Sequence, residues 1–191
     1  MQWRRFVYRT CAFWTLFGLG PVRAETSRDA SADLLARVEP CDGPGAHPWL
    51  VETRDRLLAE DRLAGHAVQR FGPPLRCEGS IGMEEAGAVF GTVRLGFAEG
   101  ASLELTTLPP ESSILTLRAP QGLGADAEAR SLLERYASER GLHVEWDSYE
   151  VTQEGDETLH TWWDPDPGLN ASVSLLYSQK RLVGLRVSMA L

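Results

Sequence analysis

Apolar residues in this chain follow two periods in turn, the three-to-four spacing of a helix and the two-residue spacing of a strand. Their order predicts helix, sheet, helix, sheet. From Pro48, suited to a first helical turn, to Phe71 the pattern is helical, with Leu50, Leu57, Leu58, Leu63, Val68 and Phe71 set among Arg, Glu and Asp. Gly65 is a point at which that segment would divide. Gly72-Pro73-Pro74 ends it, glycine allowing a left-handed cap and proline preventing continuation. Alternation then takes over, with Val89, Gly91, Val93, Leu95 and Phe97 on one face. Glu99-Gly100 turns the chain into a strand with Leu103 and Leu105 inward, and Pro109-Pro110 separates it from a third with Leu115 and Leu117 inward.

The second half begins with a sharper helical signal. Asp126 is placed to cap the N-terminus, Ala129, Leu132, Leu133, Tyr136 and Ala137 form one apolar stripe, and Gly141 with Leu142 supplies a C-terminal cap and its apolar contact. Strands follow near 143–151, 158–163, 171–178 and 182–190, the last with Val183, Leu185, Val187 and Met189 on one face.

A shift of 70 residues lays the second half on the first: Leu63 meets Leu133, Ala67 meets Ala137, Val89 meets Leu159 and Val93 meets Trp163. Leu103 meets Val173, Leu105 meets Leu175, Thr107 meets Tyr177, and Leu115, Leu117 and Ala119 meet Leu185, Val187 and Met189. Leu95 and Phe97 fall on Pro165 and Pro167, outside the pattern. A one-residue slip would send every side chain of a strand to the opposite face, so shared phase across strands carries information. The expected fold class is α+β, built as tandem repeats of helix plus antiparallel sheet, with two helical segments and about seven strands. Its units are 47–120 and 121–191, behind a signal peptide, 1–24, and a flexible lead-in, 25–46.

This plan resembles the two-repeat architecture of β-lactamase inhibitory protein and the short helix-then-strand units of small outer-membrane assembly lipoproteins. The helix end Ala67-Val68-Gln69-Arg70-Phe71-Gly72-Pro73-Pro74 looks like the valine, apolar, glycine and proline pattern that such units carry. The resemblance covers that motif and the overall plan. It implies a non-enzymatic protein-binding surface. The lipoproteins' anchoring cysteine is absent, and one cysteine pair does not serve both halves.

Charge and cysteine usage change the picture through the N-terminus. Arg4, Arg5 and Arg9 precede a ten-residue apolar stretch from Cys11 to Gly20, and Val22-Arg23-Ala24 offers small residues for cleavage after Ala24. The stretch is about half of what a spanning helix needs, so stable membrane insertion is not expected. Four of the 19 basic residues lie in this segment and no acid does, which leaves 15 basic against 27 acidic residues and a mature charge of −12. Such a surface repels phosphate backbones, so nucleic acid is excluded as a partner. Arginine outnumbers lysine 18 to 1, a bias of GC-rich bacterial genomes, and this directs the export reading to the periplasm or the exterior. Removing Cys11 with the signal leaves the pair Cys41 and Cys77, whose disulfide would stabilise the fold by about 4 kcal/mol by restricting the unfolded chain.

No metalloprotease, paired Cys-x-x-Cys, nucleophile-elbow or phosphate-loop pattern is present in the mature chain, and no cofactor or metal is expected. The nearest constellation is in the second half. With Val144 and Trp146 inward, His143, Glu145, Asp147 and Tyr149 face outward. A hairpin turning at Gln153-Glu154-Gly155-Asp156 sets Tyr149 opposite His160 and Asp147 opposite Trp162. Adjacent strand residues point to opposite faces, so with Trp163 inward Trp162 is exposed, an anchor for a ligand together with Tyr149 and Asp147. The expected function is therefore an exported, soluble, non-enzymatic module that binds another envelope protein or macromolecule through a sheet surface, as an inhibitor or accessory protein. The alternative is an exported hydrolase or metal-dependent enzyme using His143, Glu145, Asp147 and His160, but an open sheet face excludes no water and tunes no pKa. His47 and His66, on or beside the first helix, are expected to be structural.

Overall fold

A computed structural model of the chain describes residues 38–85, 88–109, 112–166 and 170–190. The expected signal peptide, 1–24, and residues 25–37 of the expected lead-in lie outside the described residues.

The first helical segment is two helices, α1 (Pro48–Glu60) and α2 (Arg62–Phe71). His47 caps α1, its Nδ1 accepting the Trp49 N–H at 3.2 Å. The break falls at Asp61 rather than Gly65. Asp61 has extended backbone, and its Oδ1 accepts the N–H groups of Leu63 (2.8 Å) and Ala64 (3.2 Å), so it starts α2 where it ends α1. A short carboxylate favours this position because it satisfies N–H groups that the first helical turn leaves free. Gly65 lies inside α2 on its exposed side. Helix α3 (Asp126–Glu139) buries Ala129, Leu132, Leu133, Tyr136 and Ala137, the stripe that the spacing predicts. Its end has Gly141 at φ 71° and the Leu142 N–H on the Ala137 carbonyl.

Among the described residues nine strands form one antiparallel sheet: β1 (Glu39–Pro40), β2 (Arg76–Glu85), β3 (Ala88–Gly96), β4 (Ser102–Leu108), β5 (Ser112–Arg118), β6 (Glu150–Glu154), β7 (Glu157–Trp163), β8 (Ser172–Ser178) and β9 (Arg181–Ala190). The spatial order is β1-β2-β3-β4-β5-β9-β8-β7-β6, so both halves share the sheet and join where β5 pairs with β9. β1 and β2 add to the expected strands. β2 carries glycines at 79 and 82 and a register shift between Ile81 and Met83, which hide its alternation. Gly79 is required by packing: a Cβ there would lie 2.5 Å from Leu50 Cδ2 and 2.4 Å from the Thr92 carbonyl oxygen. The Cys41–Cys77 disulfide ties the end of β1 to β2, across the chain that forms α1 and α2.

The core lies between the helices and one face of the sheet. Val93, Leu95, Leu103 and Leu117 from the first half and Val173, Leu175, Leu185 and Val187 from the second are buried there, joined by the pairs Leu115–Val187 and Leu117–Leu185 across the seam. α1 rests on β2 and β3, α2 on β4, and α3 on β8 and β9. Among the described residues no helix is long and apolar enough to cross a membrane.

Three expectations fail in the second half. Leu159 and Val183 pack with Leu176 in a buried cluster separate from the helix-side core, so Val183 does not share the face of Leu185 and Val187. Trp162 pairs with Val173 and faces the helices at 3 % exposure, whereas Trp163 pairs with Ser172 on the opposite face and is 48 % exposed. The connection from β3 to β4 spans residues 97–101 and that from β7 to β8 spans 164–171, three residues more. An odd difference reverses strand phase. The register therefore puts Leu95 and Trp162 in corresponding places, each opposite the first inward residue of the next strand, and Val93 does not correspond to Trp163. Likewise, 143–149 is not strand: a turn at Trp146-Asp147 interrupts it, as aspartate favours, and β6 starts at Glu150.

Candidate functional site: an aromatic cleft beside the sheet edge

Because α3 rests on β8 and β9, strands β7 and β6 run out beyond it, and a cleft of about 630 Å³ opens between them. Alternation along β7 puts His160 and Trp162 on its floor, and alternation along β8 adds Leu175 and Tyr177. Asp126, Ala127 and Arg130 come from the first turns of α3, so helical spacing presents them together. Tyr149 closes the far side, and Lys180 stands at the mouth in the tight turn between β8 and β9.

The floor is a continuous aromatic stack. His160 lies 4.8 Å from Tyr149, nearly parallel at 19°, and 4.7 Å from Tyr177. Tyr149 also lies 5.3 Å from Trp162, and Trp146 supports Trp162 from 5.6 Å. Arg130 is held over both tryptophans, at 5.5 Å and 5.7 Å, by hydrogen bonds to the Trp146 carbonyl (3.0 Å) and Glu134 (2.9 Å). Tyr177 donates its hydroxyl to Asp126 Oδ2 at 3.0 Å. Burial, and then that carboxylate, push its phenol well above the usual tyrosine range, so it remains a neutral donor. The Trp162 Nε1–H is buried with no hydrogen-bond partner among the described residues, a desolvated donor left uncompensated.

Of the residues singled out in the sequence, Tyr149, His160 and Trp162 do come together. The hairpin turns at Gly155-Asp156, with Glu154 opposite Glu157 and Val151 opposite His160, two residues away from the expected register. An even slip keeps each residue on its face, so the cluster survives the error. Trp162 serves as floor, however, and not as an exposed anchor. Asp147 is exposed in its turn and lines no part of the cleft. His143 is exposed, with its backbone N–H on Asp164 Oδ2 at 2.7 Å, and Glu145 donates its backbone N–H to the Trp163 carbonyl. Among the described residues no three His, Cys, Asp or Glu side chains are placed to hold a metal ion, so His143, Glu145, Asp147 and His160 do not assemble into one. Arg130, Tyr177, Asp126 and Lys180 complete the cleft without having been expected there; Asp126, expected to cap α3, is its first helical residue, and Ala125 stands at the cap. The alternation that marks Leu175 as inward also marks Tyr177, but the helix residues face the cleft only through the tertiary placement of α3.

Tyr149 also borders a second depression, about 510 Å³, on the outer side, with Glu145, Glu150 and Trp163. There Trp163 Nε1 donates to Glu150 at 3.3 Å. A separate polar knot joins the helices: Asp61 Oδ2 accepts Tyr136 Oη at 2.8 Å and Arg140 Nη2 at 2.9 Å, while its Oδ1 caps α2. Burial, then Asp61, push the Tyr136 phenol upward, so it stays a donor. With both carboxylate oxygens occupied, this knot is structural.

What the cleft offers chemically is stacking area, one fixed cation and a few hydrogen-bonding groups at its rim. No hydrogen bond among the described residues orients His160 through a carboxylate, the arrangement a general base would use. Compared with protein family models, with curated proteins and with solved structures, the chain matches none, so its likeness to the two-repeat inhibitors and assembly lipoproteins rests on the helix-end motif and the plan.

Proposed function

We propose that this chain is an exported, non-enzymatic binding protein that engages another envelope macromolecule through the aromatic cleft. The observation that carries the reading is a cleft floored by a stack from Tyr149 through His160 to Tyr177, left uncovered where a second helix covers the other half. Aromatic side chains give large contact area at small entropic cost, and Arg130 and Tyr177 are already immobilised, which reduces the cost of ordering on binding. The Cys41–Cys77 disulfide supports an oxidising compartment, and with it cleavage after Ala24 and a periplasmic or secreted location.

We also infer that the two halves are a tandem duplication. Under the 70-residue shift the seam maps onto itself, since Leu115–Val187 and Leu117–Leu185 exchange, which places a pseudo-two-fold axis between Thr116 and Arg186. The three extra residues between β7 and β8 then count as an insertion in the second unit.

Capture from envelope extract tests the binding reading. Wild-type protein and Leu75→Ala, altered at an exposed position in the other half, are expected to retain the same partner. Tyr149→Ala/Tyr177→Ala is expected to lose it, by at least tenfold for two hot-spot aromatics. Equal retention by all three, or no partner for any, contradicts the reading.

A further inference from the structure

The two edges of the sheet are not alike. β1 is two residues long, ends in a proline, and is followed by Cys41 of the disulfide. β6 is five residues long, pairs among the described residues with β7 alone, and every one of its residues is exposed. An open edge presents unpaired N–H and C=O groups and is a template for a further strand. Which groups are free follows from the hairpin. Glu154 and Glu157 flank a two-residue turn with Gly155 at φ 60°, and residues flanking such a turn exchange backbone hydrogen bonds, after which bonded and non-bonded pairs alternate. Glu150, Thr152 and Glu154 therefore bond to β7, and the backbone groups of Val151 and Gln153 point away from the sheet.

The surroundings of this edge are concave on both faces and carry exposed aromatic and apolar side chains. Tyr149 and Val151, 52 % and 56 % exposed, continue the cleft side, and Trp163, 48 % exposed, stands on the outer side. The 630 Å³ and 510 Å³ depressions meet at Tyr149. The outer one is acidic through Glu145 and Glu150, whereas Glu154 is already paired with Arg186 at 3.0 Å.

We propose that β6 receives an extended segment of a foreign protein, with alternating apolar and basic residues, as an additional antiparallel or parallel strand. The inference rests on the cleft reading, because the apolar side chains of such a segment would extend over Tyr149 and Val151 toward the aromatic floor. Its basic side chains would meet Glu150 and Glu145 on the other face. A second copy of this chain is the wrong occupant: β6 against β6 would bring Glu150 and Glu154 together with the same acids, and like charges opposite each other in a sheet repel.

The probe is a capped nine-residue peptide of alternating lysine and valine, titrated into the full chain with hydrogen exchange as readout, beside the same peptide N-methylated at every second backbone nitrogen. Binding is expected to slow exchange of the Val151 and Gln153 amides at least tenfold, and N-methylation on the pairing edge to weaken binding at least tenfold. Val151→Pro, which removes an outward N–H and leaves the hairpin bonds, is expected to weaken it equally. If β6 is protected but Tyr177→Ala leaves affinity unchanged, strand addition stands and the cleft reading fails. If Tyr177→Ala weakens binding while N-methylation does not, the cleft reading stands and strand addition is overturned. No binding at millimolar peptide, protection elsewhere, or a dimer abolished by Val151→Pro in place of peptide binding also overturns it.

Discussion

At the β2–β5 end of the sheet two helices cover the inward face, Leu50 and Leu63 reach zero exposure, and a glycine is needed to let α1 approach. At the β6–β9 end a single helix rests on β8 and β9, and β7 beyond it carries His160 and Trp162 where β3 carries Val93 and Leu95, with Tyr149 before β6 and Tyr177 on β8 beside them. The difference teaches how a binding site arises without special chemistry. A sheet that continues past its covering helix leaves inward-facing positions half open, and large flat side chains fill them without closing them.

The largest expected loss of stability lies in the helix layer of the closed end. Asp61→Ala would remove the cap of α2 and strand Arg140 and the buried Tyr136 hydroxyl, a loss of about 4 kcal/mol in denaturant unfolding. A loss below about 1 kcal/mol would show that the knot does not hold the closed end. Next in size is Gly79→Ala, whose Cβ would collide with Leu50 and the Thr92 carbonyl and cost about 2 kcal/mol. At the open end, by contrast, Trp162→Phe should cost about 1 kcal/mol or less, because it exchanges stacking area for the removal of a buried donor that has no partner. A large loss there would mean that the indole N–H is satisfied in solution and that the cleft is differently arranged.

Part of each end is legible as sequence and part is not, for identifiable reasons. The stripe Ala129, Leu132, Leu133, Tyr136 and Ala137 is a local signal, and so is the alternation through Leu103, Leu105, Leu115 and Leu117. Local signals survive into the fold because the same positions set both the period and the burial. The orientation of Trp162 and Trp163 depends instead on whether the β7–β8 connection is odd or even in length relative to β3–β4, and no side chain encodes that. β2 is hidden by two glycines and a register shift, and one of those glycines, Gly79, answers a long-range requirement, the approach of Leu50 from α1. The cleft itself depends on where α3 stops covering the sheet. Tyr149, His160 and Trp162 were found together only because an error of two residues in register preserves face.

The smallest expected effect lies at the contact between the halves. His66 of α2 lines a small void with Ala129 and Leu132 of α3; burial first, then the charges of Arg70 and Arg135, lower its pKa. The unfolded chain takes up a proton near the ordinary pKa of about 6.5 while the native imidazole resists it, so stability should fall as pH drops below that value toward the lowered native pKa. His66→Asn should flatten the dependence of unfolding free energy between pH 5 and 7, a range set by that pKa. An unchanged slope would place the acid sensitivity elsewhere.

The most direct test of the central claim, that the open end is the binding end, is photo-crosslinking in the envelope with a reactive aromatic residue placed at position 149 or at position 75, the latter 74 % exposed on the closed half. A discrete adduct is expected from position 149, lost when Tyr177→Ala is added, and none from position 75. Equal adducts from both positions, or none from position 149, would contradict it.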